Sequence, residues 1–228
     1  MDAHGILLVD KPYGWSSFDI VAKVRGTLTR ALGKKVKVGH TGTLDPLATG
    51  LMIVVVGSYC KRAQEFSKLD KTYEVTMKLG QTSTTGDNEG EKTDVSATQP
   101  SQEQLKTALA AFVGDSMQTP PAHSAIKING KRAYKLAREG KMVVIEPRQV
   151  HISDITFTDY NYPHVNFTTD VSSGTYVRSL VQDIGETLQT GAYMSDLRRS
   201  KVGEFSLTDS PLDPQNISYE SIEMSLRG

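Results

Sequence analysis

Six aliphatic residues in a row, Leu51 to Val56, stand between Gly50 and Gly57. The run is far shorter than the ~20 apolar residues a membrane helix needs, and it has no polar alternation. It therefore predicts a strand covered on both faces at the centre of a sheet. Gly5 to Asp10 (GILLVD) is a second short apolar run, ended by Lys11-Pro12. Tyr73, Val75, Met77 and Leu79 alternate with Glu74, Thr76 and Lys78, as half-buried strands do. Val165, Phe167, Thr169 and Val171 alternate in the same way, and Val202 to Leu207 reads as a last strand. Helices fit between these runs. Ser16 or Ser17 can cap one that turns Ile20, Val21, Val24 and Leu28 inward. Ser101 and Gln104 form a capping box ahead of Leu105, Leu109 and Phe112, with Gly114 past the end. Gly174 leads into a helix with Val177, Leu180, Val181, Ile184 and Leu188 on one face. Residues 81–100 hold almost nothing apolar and read as an exposed loop. The class is α+β, with a mixed sheet flanked by helices.

At 228 residues the chain predicts one large domain, or one domain with a short appendage. Its single cysteine, Cys60, forms no internal disulfide and reads as a small buried apolar residue, and no Cys/His cluster has zinc spacing. The N-terminus lacks a basic, apolar, small-residue series, so a cytoplasmic protein is expected. Lys and Arg total 26 and so do Asp and Glu, but the balance is uneven along the chain. Residues 11–71 hold 11 basic and 4 acidic residues, and residues 125–148 hold 7 and 2. Two basic blocks on a neutral chain suit a polyanion bound on one face, while solvated lysine-rich surfaces are the plainer reading. The second block follows Pro120-Pro121. Ser124 to Ile128 reads as a strand, Asn129-Gly130 as a tight turn, and Lys131 to Glu139 as a short helix stopped by Gly140, together a basic arm.

The densest chemical signal is Gly39 to Gly50 (GHTGTLDPLATG), in which Asp45 is the one anionic group. Pro46 biases Asp45 toward extended backbone. Asp followed by Pro is also a favourable start for a helical turn, so capping is the plain alternative to chemistry. The stretch lacks the Lys-Ser/Thr that would follow the last glycine of a phosphate loop.

GHTGTLDPLATG resembles the catalytic motif of the bacterial tRNA pseudouridine synthase B family. Leu8 to Ser17 (LVDKPYGWSS), Lys71 to Val75 (KTYEV), Pro120 to Tyr134 (PPAHSAIKINGKRAY), Gly174 to Leu180 (GTYVRSL) and Leu197 to Arg199 (LRR) resemble its other blocks, in the same order. The resemblance implies the pseudouridine synthase fold, with a mostly antiparallel central sheet and an inserted RNA-binding arm at about 121–148. It implies isomerisation of the T-loop uridine at tRNA position 55, without a cofactor or metal. Asp45 is then the catalytic carboxylate, as nucleophile or base, and Arg178 the cation that keeps it ionised in a dry pocket. Tyr73 stacks on the uracil and helps move the C5 proton, and Tyr176 and Leu197 line the pocket. His40 fills the space left by the everted nucleotide. Lys131, Arg132 and Arg138 grip phosphates of the arm of the tRNA, helped by Lys11 and Lys61 near the pocket.

The expected partner is the tRNA T-arm stem-loop, with no membrane and no protein partner, the protein acting as a monomer. Many relatives carry a further C-terminal RNA-binding domain. Here 1–209 is expected to be the catalytic domain and 210–228 a short tail without that addition. Alternatives are a non-catalytic tRNA-binding or folding helper, a guide-RNA-dependent relative, and a glycoside hydrolase, for which two carboxylates at a set separation would be needed.

Overall fold

The computed structural model describes residues 3–124, 126–128, 130–139 and 143–228. The chain begins β1 (Gly5–Lys11), α1 (Ser17–Leu32), β2 (Val38–His40), β3 (Thr49–Val56), α2 (Ala63–Ser67) and β4 (Lys71–Leu79). It continues through β5 (Gln81–Ser83), β6 (Lys92–Asp94), α3 (Gln102–Ala110), β7 (Gly114–Gln118), β8 (Lys127–Ile128), β9 (Lys131–Arg132) and α4 (Ala133–Arg138). It closes with β10 (Arg148–Asn161), β11 (His164–Val171), α5 (Val177–Thr187), β12 (Ala192–Val202), β13 (Phe205–Ser206) and α6 (Tyr219–Ser225). Two compact units divide it, one of residues 1–73 with 197–228 and the other of residues 74–196.

In the first unit β3 is central, as its unbroken aliphatic run predicts. It pairs antiparallel with β1, from Gly5 opposite Val56 to Lys11 opposite Gly50, and antiparallel with β2. It also pairs in parallel with β12, where Arg198 and Arg199 stand opposite Thr49 and Gly50. Ile6, Leu8, Leu51, Ile53, Val55 and Val202 form a core cluster, with Cys60, Phe66, Leu69 and Phe205 packed against it. Ser16 caps α1 in a reciprocal box with Asp19, Gly33 closes the helix in the left-handed region, and Ile20, Val21, Val24 and Leu28 face inward. The last residues are tied down. They run back along β1, where Asp10 N–H donates to Leu212 O at 3.0 Å and Ile6 exchanges backbone hydrogen bonds with Arg227.

In the second unit the strand order is β4-β11-β10-β7. The alternation at Val165 to Val171 is β11, which pairs antiparallel with β10. Strand β10 escaped the sequence reading because its pairing shifts register between Ile152 and Asp154. Apolar positions therefore change parity from Val150 and Ile152 to Ile155 and Phe157. Strand β12 escaped it because the strand is rich in Ser, Asp, Arg and Lys. It ends at Val202, so the strand expected over Val202 to Leu207 is only the short β13.

Residues 81–100 are not a plain exposed loop. Strands β5 and β6 pair within them, and Ser83 and Asp87 are buried. In the basic arm β8 and β9 pair, so Lys131 and Arg132 are strand residues and the helix starts at Ala133. Asn129 of the expected turn and Gly140 of the expected stop lie outside the described residues.

The class is the α+β arrangement expected, with a mixed and mostly antiparallel sheet. Among the described residues no helix is long and apolar enough to cross a membrane.

The parallel contact between β3 and β12 depends on Gly50. Its φ is +104°, and a Cβ there would collide with the Arg199 carbonyl oxygen. Gly50→Ala is expected to destabilise the protein by more than about 2 kcal/mol, read from urea unfolding. A cost below about 0.5 kcal/mol would show that the two strands separate freely there.

Candidate active site

Asp45 lies in the loop between β2 and β3, and four other elements hold that loop by its backbone. Thr41 donates its N–H and its hydroxyl to Ile53 O of β3, at 3.2 and 3.3 Å. Gly42 O accepts from Arg199 Nη2 of β12 at 3.1 Å. Leu44 is bound at both backbone groups by the Ser17 hydroxyl of α1, at 2.8 and 2.9 Å. Pro46 O accepts from Gly14 N–H at 2.8 Å and from Lys11 Nζ of β1 at 3.3 Å. No helix follows Asp45. Its carbonyl accepts from Ala48 N–H at 3.0 Å, closing a single turn around Pro46, and β3 begins at Thr49. The capping alternative therefore reduces to one hydrogen-bonded turn. The loop backbone that carries Asp45 is thus held at Thr41, Gly42, Leu44 and Pro46 before any ligand arrives.

Lys11 departs from its expected role. It is 0% exposed, and its ammonium donates to the carbonyls of Pro12 at 3.0 Å, Trp15 at 2.6 Å and Pro46 at 3.3 Å. Its three donors are used inside the protein, so it is not a phosphate-gripping surface cation. Burial pushes its pKa down to about 8, against the pull of the Asp45 carboxylate, and the nearby Arg199 guanidinium lowers it further. Arg199 is also buried, with Nε donating to Leu51 O at 2.7 Å. Tyr73 and Leu197 of the same unit are buried, His40 is half-buried at the end of β2, and Lys61 is exposed in the short 3₁₀ turn after β3.

The second unit carries the other expected residues. Arg178, in the first turn of α5, is 6% exposed. Its Nη1 donates to Thr85 O at 3.0 Å and to Asp87 Oδ2 at 3.2 Å, and its Nη2 donates to His123 O at 2.8 Å. Asp87 Oδ1 accepts from the Thr85 hydroxyl at 2.5 Å and from Glu89 N–H at 3.0 Å. The sequence reading missed Asp87. Its local signal was a side chain able to bond the backbone two residues on, in a stretch where nearly every residue is polar.

Tyr176 is fixed by its backbone, which exchanges two hydrogen bonds with the Gln118 side-chain amide, at 2.7 and 3.1 Å. The Arg148 guanidinium lies 4.9 Å from its ring centroid. Lys131 and Arg132 are exposed on β9, and Arg138 ends α4. Among the described residues no group of His, Cys, Asp and Glu could hold a metal ion.

Comparison with known proteins identifies the family of the chain. A family model for TruB family pseudouridylate synthases (N-terminal domain) matches residues 29–177. A model for the tRNA pseudouridylate synthase B C-terminal domain matches residues 178–222. A chain in the crystal structure of a Cbf5-Nop10-Gar1 complex superposes with a TM-score of 0.67 at 27% identity, covering 89% of this chain. This chain spans about half the length of that one, 50%. The architecture thus falls within the pseudouridylate synthases. More narrowly, the chain belongs to the TruB family. It is 42% identical to tRNA pseudouridine synthase B of Bacteroides fragilis, over 96% of this chain and 97% of that one. To the protein of that name from Chlorobaculum tepidum it is 43% identical, over 90% and 85%.

Lys11 makes stability depend on pH. Below about pH 8 it carries its charge in both folded and unfolded chains, and the cost of burying that charge is fully present. Between about pH 8 and the ordinary 10.5 the unfolded chain keeps a proton that the folded chain has released. The unfolded state then binds more protons, so this group raises stability as pH rises through that window. The stability of the protein relative to its Lys11→Met variant is expected to climb from pH 8 to 10.5 in urea unfolding. Parallel curves would show that Lys11 is not a charge buried at cost.

Proposed function

We propose that this protein converts uridine to pseudouridine in tRNA, acting on the uridine at position 55 of the T-loop, with Asp45 as the catalytic carboxylate. The observation that carries this reading is the backbone-tethered loop that presents Asp45, in a chain whose relatives are named tRNA pseudouridine synthase B.

The reaction breaks the N1–C1′ glycosidic bond, turns the uracil and joins C5 to C1′. No electrons are gained or lost and no outside group is added, so one well-aimed carboxylate and a proton carrier suffice. Asp45 acts as nucleophile toward the sugar or base, or as the base that removes a sugar proton. Arg178 is the cation that the family likeness assigns to that carboxylate, and Asp87 steadies Arg178. Tyr73 stacks on the uracil and places its phenol for the C5 proton, and Tyr176 and Leu197 supply walls. The target nucleotide is stacked in a folded loop, and swinging it out costs a few kcal/mol. His40 fills the gap it leaves. Affinity comes from backbone phosphates held by Lys61 and by Lys131, Arg132 and Arg138 of the arm.

Incubation of unmodified tRNA transcript, and of a T-arm stem-loop, with the protein alone tests this reading. Pseudouridine should map to position 55 and nowhere else, without guide RNA. Asp45→Asn should lower the single-turnover rate by more than about 10³-fold while RNA affinity stays within a few fold. Normal turnover in that variant would remove the catalytic assignment. Tight binding by the wild-type chain with no turnover would make it a tRNA-folding helper, and free uracil among the products a hydrolase. The affinity itself should fall steeply with salt, with log K against log salt sloping at about −3 or steeper if four or more phosphates are neutralised. Binding that ignores salt would reject the cationic arm as the grip.

A further inference from the structure

Lys92 stands at the start of β6, and its ammonium binds three carbonyl oxygens of one loop: Asp87 at 3.1 Å, Asn88 at 3.0 Å and Gly90 at 2.5 Å. An ammonium has three protons, so no donor is left over for a phosphate. The Tyr193 ring covers the same nitrogen, its centroid 4.7 Å away. This lysine is therefore an internal clamp rather than a surface cation. What it clamps is the backbone of Asp87.

The Asp87 carbonyl takes a second hydrogen bond, from the Ser83 hydroxyl at 2.6 Å. Its Oδ1 is occupied by Thr85 and by Glu89 N–H, and Oδ2 receives Arg178 at 3.2 Å. The loop is closed tightly on itself, since a Cβ at Gly90 would lie 2.5 Å from Thr85 N and 2.6 Å from the Ser83 hydroxyl. Both partners of the Asp87–Arg178 pair are buried, the setting in which a misplaced partner costs most.

We propose that Lys92 is a positioning residue. It fixes the 87–90 loop so that the Asp87 carboxylate meets Arg178 in one orientation, and its effect on turnover runs entirely through Asp87. This inference rests on the catalytic reading above.

The test is a double-mutant cycle on the full chain with a T-arm stem-loop RNA. It uses single-turnover rates for wild type, Lys92→Met, Asp87→Asn and the double variant, with RNA Kd and Tm measured alongside. Lys92→Met should slow turnover about tenfold, short of the ~10²-fold loss that a 1 Å misplacement can bring, with RNA Kd unchanged within twofold. In the Asp87→Asn background the same substitution should change the rate by less than about twofold, because the group through which it acts is already altered. Lys92→Gln, which keeps two of the donors, should fall between wild type and Lys92→Met. It replaces Lys92→Met in the cycle if that variant does not fold.

An unchanged rate in Lys92→Met, or an equal loss in both backgrounds, would overturn the proposal. A several-fold rise in Kd with a shallower salt dependence would overturn it in favour of a direct RNA contact. Each of these leaves the catalytic reading standing. Wild-type turnover that survives Asp45→Asn would remove the catalytic reading instead, and this inference with it.

Discussion

The parallel approach of β3 and β12 at Gly50 and Arg199 is the constraint on which the Asp45 loop depends. It brings a backbone within a distance that only glycine permits, and it sets the Arg199 side chain beside the chain entering β3. From there the guanidinium reaches back to Leu51 O and Gly42 O, one on the strand and one in the loop. A buried guanidinium left without acceptors would be costly, so the loop carbonyl and the cation stabilise each other's position. Ser17 adds the same kind of tie from α1, and Lys11 from β1.

A lysine serves each unit in the same way. Lys11 binds the carbonyls of Pro12 and Trp15 after β1 and of Pro46 beside Asp45, and Lys92 binds three around Asp87. Loops need internal partners for their carbonyls when they fold inward, and an ammonium supplies three donors from one point. A compact cation can therefore do for an irregular loop what a neighbouring strand does for a β-strand. For Lys11 the arrangement has a cost, because burial lowers its pKa to about 8.

These placements also change what the charge pattern means. The first basic block counts Lys11 and Lys71, yet both are buried, and Lys71 Nζ donates to the carbonyls of Ser67 and Leu69. The cations that remain to meet a polyanion are fewer than the sum along the chain. In the second block Lys131 and Arg132 are exposed, in keeping with an arm that meets a ligand.

Much of the architecture was legible from periodicity alone. The aliphatic run of β3, the alternation of β4 and β11 and the inward faces of α1 and α5 are local patterns, because a strand or helix buries a face whose spacing its own dihedrals impose. Asp45 stood out too, as the one carboxylate in a glycine-rich stretch, and the likeness of its motif to a known family made it the candidate for chemistry. Strand β10 was hidden by a bulge that breaks its alternation, and β12 by polar residues whose partners lie far away in sequence. The polar residues set into β5, β6 and the loop between them were hidden for the same reason. Asp87 meets Arg178 across 91 positions, and Arg199 meets Gly42 across 157. Composition and local spacing determined many of the elements, and the resemblance of its motif to a known family marked Asp45 as the candidate carboxylate. Tertiary structure alone decided which cations are buried, which carbonyls they hold and which carboxylate answers Arg178 in its own unit, because those pairings exist only once distant segments are brought within hydrogen-bond reach.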